Sequence, residues 1–367
     1  MLILGIPSYR LPRDILRREI AALIDDNITL KMNTSLGSEI TIDQLFEDGF
    51  DSVFLSLGSS KSIRLGIEGE DLNGVFPSME FLRQFNTSGI SLAKGHVGVI
   101  GGGNSALDAA RTALRQPGVK KVTIIYRRTR DEMPAFQEEI DAAIKEGVIL
   151  ETLLSPKKIL SDASSISGIE CLKNKLGDRD SSGRRRPVPV EGTEFVLPLD
   201  TLIVAIGEKP DLESLPGEGS VQVETTKSGS IKVNPYTLAA GRAGLFAGGD
   251  LVTGPNTVVK AIAAGKKAAV MIRRYLEGEE LRQQADFTRP SVYIEPLSRD
   301  QQAPSNGRPM VPHAVISKLT GNFEEVEGTF DAESARAEAL NCLRCDLEFI
   351  KPAAEKAVTA RSGGDSK

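Results

Sequence analysis

The chain has 367 residues, past the ~250–300 at which a single core usually stops growing, so two domains are expected. Its 40% hydrophobic and 26% charged content is ordinary for a soluble globular protein; a bilayer-spanning apolar run and a signal-peptide pattern are both absent, and a cytoplasmic protein is expected. A net charge of −5 argues against a nucleic-acid backbone as partner, and three cysteines with two histidines exclude a disulfide scaffold or a self-sufficient metal site.

In chain order, DSVFLSLG (51–58) predicts a short strand ending in glycine, followed by polar SSKSIR and the turn-rich GIEGEDLNG. Val97–Ile100 predicts a second strand that runs into GGGNSALDAARTALRQ, and Lys121–Tyr126 a third after the turn signal Gln116-Pro117-Gly118. Strand, helix and strand at this spacing form a βαβ unit, which implies a parallel sheet covered by helices. Phe136, Ile140, Ala143 and Ile144 recur at helical spacing and predict an amphipathic helix.

β-type stretches follow around 148–160 and 166–173, and the basic run Gly183-Arg184-Arg185-Arg186 between them and PVPV reads as a solvated hairpin tip. Leu202–Ile206 predicts a strand capped by Gly207. The last α/β element is GLFAGGD (244–250) with a helix to about Leu276, whose Val258, Ile262, Ala269 and Ile272 share one face, with Gly265 placed for close packing. Beyond it an extended tail is expected around one short helix near 331–341.

The best-defined motif is Gly101-Gly102-Gly103-Asn104-Ser105-Ala106, a G-x-G-x-x-A between strand and helix. Gly101 permits the tight turn, Gly103 lets a diphosphate approach the backbone, Ala106 keeps helix and strand close, and the helix N-terminus presents free N–H groups. The next strand ends in Tyr126-Arg127-Arg128, with no acid before Asp131. Two guanidiniums at that point suit the 2′-phosphate of NADP, with NADH left open as the donor. In the second candidate turn, Gly248 and Gly249 allow close backbone approach, Asp250 stands at a strand end, and Asn256 and Thr257 open a helix.

The segments GIPSYRLP (5–12), LGSSKSIRLGIEGEDLNGV (57–75), VIGGGNSALDAAR (99–111), YRRTRDEMPA (126–135), VAIGEKPD (204–211) and LFAGGDLVTGPNTVVKAIAAGKKAA (245–269) together resemble the two-dinucleotide flavoprotein oxidoreductases, among them the small subunits of NADPH-dependent glutamate synthase and their electron-transfer relatives. The resemblance covers most of residues 1–276. It implies an α/β fold of two Rossmann-like domains, with an NAD(P) domain (93–210) inserted into an FAD domain (1–92 and 211–280) and a C-terminal tail (281–367). It also implies that Gly207 and Gly249 approach cofactor, that Asp250 bonds the flavin's ribityl or phosphate region, and that the backbone around Asn256, Thr257 and Val258 meets its pyrimidine end. Hydride would pass from NADPH to FAD, and electrons onward to an iron–sulfur or catalytic partner subunit. No catalytic side chain is implied, because the cofactors carry the chemistry.

The family's first G-x-G-x-x-G, which holds the ADP half of FAD, and its cysteine-rich domain have no counterpart here. The expectation is that this half-site is completed by a separate polypeptide or by upstream codons rather than lost. In the tail, Cys342 and Cys345 supply two thiolates, so a 4Fe–4S cluster there would take ligands from elsewhere; a reduced thiol pair without metal is the other reading. Two other functions stay open: an NADH-dependent ferredoxin or quinone oxidoreductase subunit, and a non-catalytic nucleotide-binding interaction subunit that has lost FAD.

Overall fold

The computed structural model describes residues 1–180, 182–213, 223–282, 309, 311–313 and 320–339. The chain divides into two units, one of Met1–Gln283 with Ile316–Glu325 and one of Gln284–Val315 with Val326–Lys367.

The first unit opens with the helices α1 (Arg13–Leu23) and α2 (Ile42–Glu47), the latter started by a capping box between Thr41 and Gln44. Strands β1 (Val53–Leu55), β2 (Lys61–Ser62) and β3 (Val75–Pro77) follow, then helix α3 (Ser78–Ser88). Next come β4 (Gly95–Ile100), α4 (Asn104–Leu114), β5 (Val119–Tyr126), α5 (Gln137–Lys145) and β6 (Ile149–Thr152). An antiparallel run of β7 (Leu154–Asp162), β8 (Ser165–Arg179), β9 (Arg185–Pro189) and β10 (Phe195–Pro198) leads to β11 (Thr201–Val204), β12 (Glu208–Lys209) and β13 (Leu245–Ala247). The unit closes with α6 (Asp250–Thr253) and α7 (Val258–Leu276). In the second unit, His313 bridges Glu327 and α8 spans Ala332–Ala339, where the short tail helix is predicted.

The central sheet is parallel, in the order β3-β11-β4-β5-β6. From β4 the chain adds β5 and β6 on one side while β11 lies on the other, and such a switch point in strand order opens a crevice beyond the carboxyl ends of the strands. One face of the sheet is covered by α3, α4 and α5, whose Phe81, Leu82, Ala106, Leu107, Ala110 and Ile140 pack on Val97, Val99, Val122 and Ile124. The βαβ pattern implies a sheet covered by helices; the second face differs. There Ile100, Ile125 and Leu202 pack on Leu154, Ile159, Ile166 and Ile169 of the antiparallel strands β7 and β8. A strand covers an apolar sheet face as well as a helix does once its own residues alternate inward, and β8 buries Ile166, Gly168, Ile169 and Cys171.

Residues of the GLFAGGD element form a smaller sheet, β1 beside β13 in parallel, with Val53, Leu55, Leu245, Ala247 and Leu251 in one cluster. Two amphipathic stripes are more exposed than their periodicity predicts. In α5, Ile140 and Ala143 are buried while Phe136 and Ile144 are open to solvent. In α7, the expected inward face carries Ile262 at 55% exposed, burial falls instead on Ala268 and Met271, and Gly265 has no neighbour close enough to need a glycine. No helix among the described residues is long and apolar enough to cross a membrane.

Candidate nucleotide and flavin sites

The glycine turn after β4 sits at the switch point. Gly101 has φ +145°, and a β-carbon there would lie 2.1 Å from the Ala205 carbonyl oxygen, so only glycine fits. Gly102 lies under the Tyr126 ring, whose hydroxyl donates to the Glu132 carbonyl at 2.8 Å. Gly103 is different: it is the N-cap of α4, makes no side-chain cap, and a β-carbon there would meet nothing within 4 Å. Packing therefore does not require a glycine at 103, where it serves as a tolerated N-cap, whereas a ligand resting on the backbone does require one. The uncapped first turn of α4 carries no acid of its own, so its N–H groups and positive dipole end are left for a group outside the helix. Ala106 is fully buried against the turn, while the Asn104 side chain accepts the Phe136 N–H at 3.1 Å.

At the end of β5 the two arginines part. Arg127 is exposed, and its carbonyl accepts from Asn174 at 2.8 Å. Arg128 is turned inward, 4% exposed, donating to Asp180 at 2.7 Å and to the Arg185 carbonyl at 2.6 Å. It thereby ties the β8–β9 hairpin to the end of β5. The Ser182 hydroxyl and backbone, helped by Arg128, hold the Asp180 carboxyl at about 2.

Behind the turn, α4 is locked by an ion network that sequence spacing does not reveal. Arg10, from GIPSYRLP, pairs with Asp108 at 2.7 Å and Glu139 at 3.1 Å. Arg111 bonds Glu139 and Glu146, and Arg115 bonds Glu146, over 2.6–3.0 Å. Both guanidiniums stack on the buried Tyr9 ring, at 4.8 and 4.2 Å from its centre. Burial pushes Asp108 up to about 6 despite Arg10. Burial would also raise Glu146, but its bonds from Arg115 and Arg111 hold it below the usual carboxylate range.

On the other side, Gly249 has φ +67° and starts the turn of α6. Ser59, from the LGSSKS stretch, donates to the Asp250 carbonyl at 2.9 Å and ties that stretch to the turn. Partial burial raises the Asp250 carboxyl above its ordinary value, against the Asn256 N–H that favours its ionised form. Thr257 caps α7 by accepting from the Lys260 N–H at 3.4 Å, and Val258 begins an exposed apolar turn of that helix. Gly207, with φ +131°, closes β11 and its carbonyl accepts from Ile63 at 2.9 Å.

Glu208 is the residue that sequence reading passes over. It is 7% exposed, receives the Ser78 hydroxyl at 3.5 Å and is also reached by Ser105. An acid directly after a strand-end glycine was the available signal. Among the described residues no group of histidines, cysteines and acids is arranged to hold a metal; Cys342 and Cys345 lie outside the described residues. Cys171 is fully buried, and burial pushes its thiol up to about 12, which leaves it inert.

A family model described as pyridine nucleotide-disulphide oxidoreductase matches residues 13–265. The chain is 44% identical over 354 residues to the NADP(+)-dependent formate dehydrogenase subunit beta of Moorella thermoacetica, covering 94% of this chain and 49% of that protein. It is 36% identical over 384 residues to the NADPH-Fe(3+) oxidoreductase subunit beta of Geobacter sulfurreducens, covering 94% and 55%. It is 34% identical over 292 residues to the glutamate synthase [NADPH] small chain of Escherichia coli, covering 76% and 61%. The chain thus spans about half the length of the first two relatives. Among solved structures, Mycobacterium tuberculosis FprA in complex with NADPH shares the fold, with a TM-score of 0.62, 19% identity and 78% of each chain covered.

Proposed function

The chain belongs to the pyridine nucleotide-disulphide oxidoreductase family, and on that premise we propose that it is the nucleotide-oxidising part of an NADPH-dependent flavoprotein that passes electrons to a partner iron–sulfur or catalytic subunit. The observation that carries the reading is the Gly103 turn: a helix start without a side-chain cap at a topological switch, with a glycine that packing does not require. The named relatives that use NADP or NADPH support the same donor for this chain.

Gly101, Gly103, Asn104, Ser105 and Ala106 would hold the diphosphate, and Arg127 would meet the 2′-phosphate at the end of β5. Arg128 contributes by fixing the β8–β9 hairpin beside it. The residues of the second turn fit a flavin: Gly249 opens the backbone, Asp250 stands half-buried with one N–H partner, and the start of α7 is apolar and uncovered. When bound, FAD supplies the conversion of a hydride into electrons released singly or in pairs. This chain's residues would position it through Gly249, Asp250, Asn256, Thr257 and Val258, with Gly207 shaping the passage between the sites. NADH as the donor is the second reading, favoured by the commitment of Arg128 to Asp180 and the Arg185 carbonyl.

Titration of both nucleotides against wild type and Arg127→Ala decides the donor. Loss of a charge-assisted phosphate contact is expected to weaken NADPH about tenfold or more and leave NADH nearly unchanged. Equal losses for both would defeat the 2′-phosphate assignment. Absence of flavin absorbance from the protein purified with its natural neighbours would defeat the flavoprotein reading.

A further inference from the structure

We propose that Glu208 couples occupancy of the nucleotide site to proton uptake, its side chain taking a proton from solvent when the diphosphate of a dinucleotide settles on the first turn of α4. The inference rests on the reading of that turn as the nucleotide site.

The placement follows from sheet register. β11 runs beside β4 with Val204 opposite Ile100, so the segments that leave the two strands travel together, and the Ala205 carbonyl touches the place where Gly101 would carry a side chain. Glu208 comes three residues later, reached by the Ser105 hydroxyl of α4 and the Ser78 hydroxyl of α3. Ser105 stands in the turn that would receive the diphosphate, and in the free protein it lies close enough to Glu208 to favour the carboxylate.

Among the described residues no lysine or arginine pairs with Glu208; Lys209 and Lys61 face each other across β12 and β2, and Lys61 bonds Glu213. On α4, Asp108 is taken by Arg10 and Arg111 by Glu139 and Glu146. The charged group whose field reaches Glu208 is Asp250, of the same sign. Burial raises the Glu208 carboxyl above its ordinary value, the two serine hydroxyls work against this, and Asp250 adds to it. A diphosphate arriving at Ser105 brings further negative charge and competes for that hydroxyl. Both changes disfavour the carboxylate, so the bound state holds the proton more tightly than the free state.

The sign is fixed. Nucleotide affinity is highest where Glu208 is already protonated and falls as pH rises through its free-state value, levelling once the bound form also ionises. The loss is about tenfold for each unit that occupancy adds to the Glu208 pKa.

The test is calorimetric titration of the whole chain with NADPH in two buffers of different ionisation enthalpy, from mildly acidic to mildly alkaline pH, with wild type and Glu208→Gln compared. Wild type is expected to take up a proton that Glu208→Gln does not, and the variant's affinity should lose that part of the pH dependence; the ligand's own 2′-phosphate titration is common to both and cancels. Ser78→Ala, which removes a hydrogen bond to the ionised form, should move the window to higher pH and serves if the glutamine variant folds poorly. Equal proton uptake in wild type and Glu208→Gln, with NADPH bound by both, overturns the role of Glu208 alone. Failure of wild type to bind NADPH overturns the nucleotide reading as well.

Discussion

Helices α4 and α7 both follow a strand and a glycine turn, yet the structure treats them in opposite ways. Every residue of α4 from Ala106 to Ala113 is buried, between the sheet, α3, α5 and the segment carrying Tyr9 and Arg10. Of the 19 residues in α7, Ala268 and Met271 are buried, and Val259 is 75% exposed. The α4 side has a finished core of its own, with both sheet faces covered; the α7 side rests on the pair β1–β13 and one small cluster. Similar turns thus sit in surroundings that differ in how far the described residues complete them.

Substitutions can break or sharpen this contrast. The largest effect is expected at Arg111, whose loss takes one of two arginine partners from each of the nearly dry Glu139 and Glu146 and opens a gap against Tyr9; Arg111→Ala should cost about 3–5 kcal/mol in denaturant unfolding. A cost below about 1 kcal/mol would mean that the network is ornamental. Next comes the same truncation made twice. Ile203→Ala, at a fully buried position in β11, should cost about 2–5 kcal/mol, and Ile262→Ala, on the open face of α7, about 0.5 kcal/mol or less. Comparable losses at both would show that α7 is covered in solution. Smaller than these in stability is the effect expected at Gly103, where alanine meets no neighbour.

The sequence made the first site legible because its signals are local. Gly101 to Ala106 lie in one turn, and a strand on each side identifies the unit. Arg127 and Arg128 were equally visible as a pair, but their division was not: Arg128 is committed to Asp180, on a hairpin 52 residues away, and no spacing rule reaches that far. The Arg10–Asp108 clasp, across 98 residues, is hidden for the same reason. In α7 the period of Val258, Ile262, Ala269 and Ile272 was readable, but periodicity reports that a face is apolar and not what lies against it. Glu208 escaped notice because its importance comes from the register of β11 on β4, which is a property of the sheet.

The most direct test of the account is NADPH binding by Gly103→Ala beside wild type, with thermal unfolding followed on the same samples. If the α4 turn cradles a diphosphate, the variant melts within a few degrees of wild type, the small loss being that of alanine as an N-cap, and loses NADPH affinity by about tenfold or more, because the added methyl stands where the ligand meets the backbone. Unchanged affinity in the folded variant would show that no ligand rests on Gly103, and would contradict the assignment of the nucleotide site.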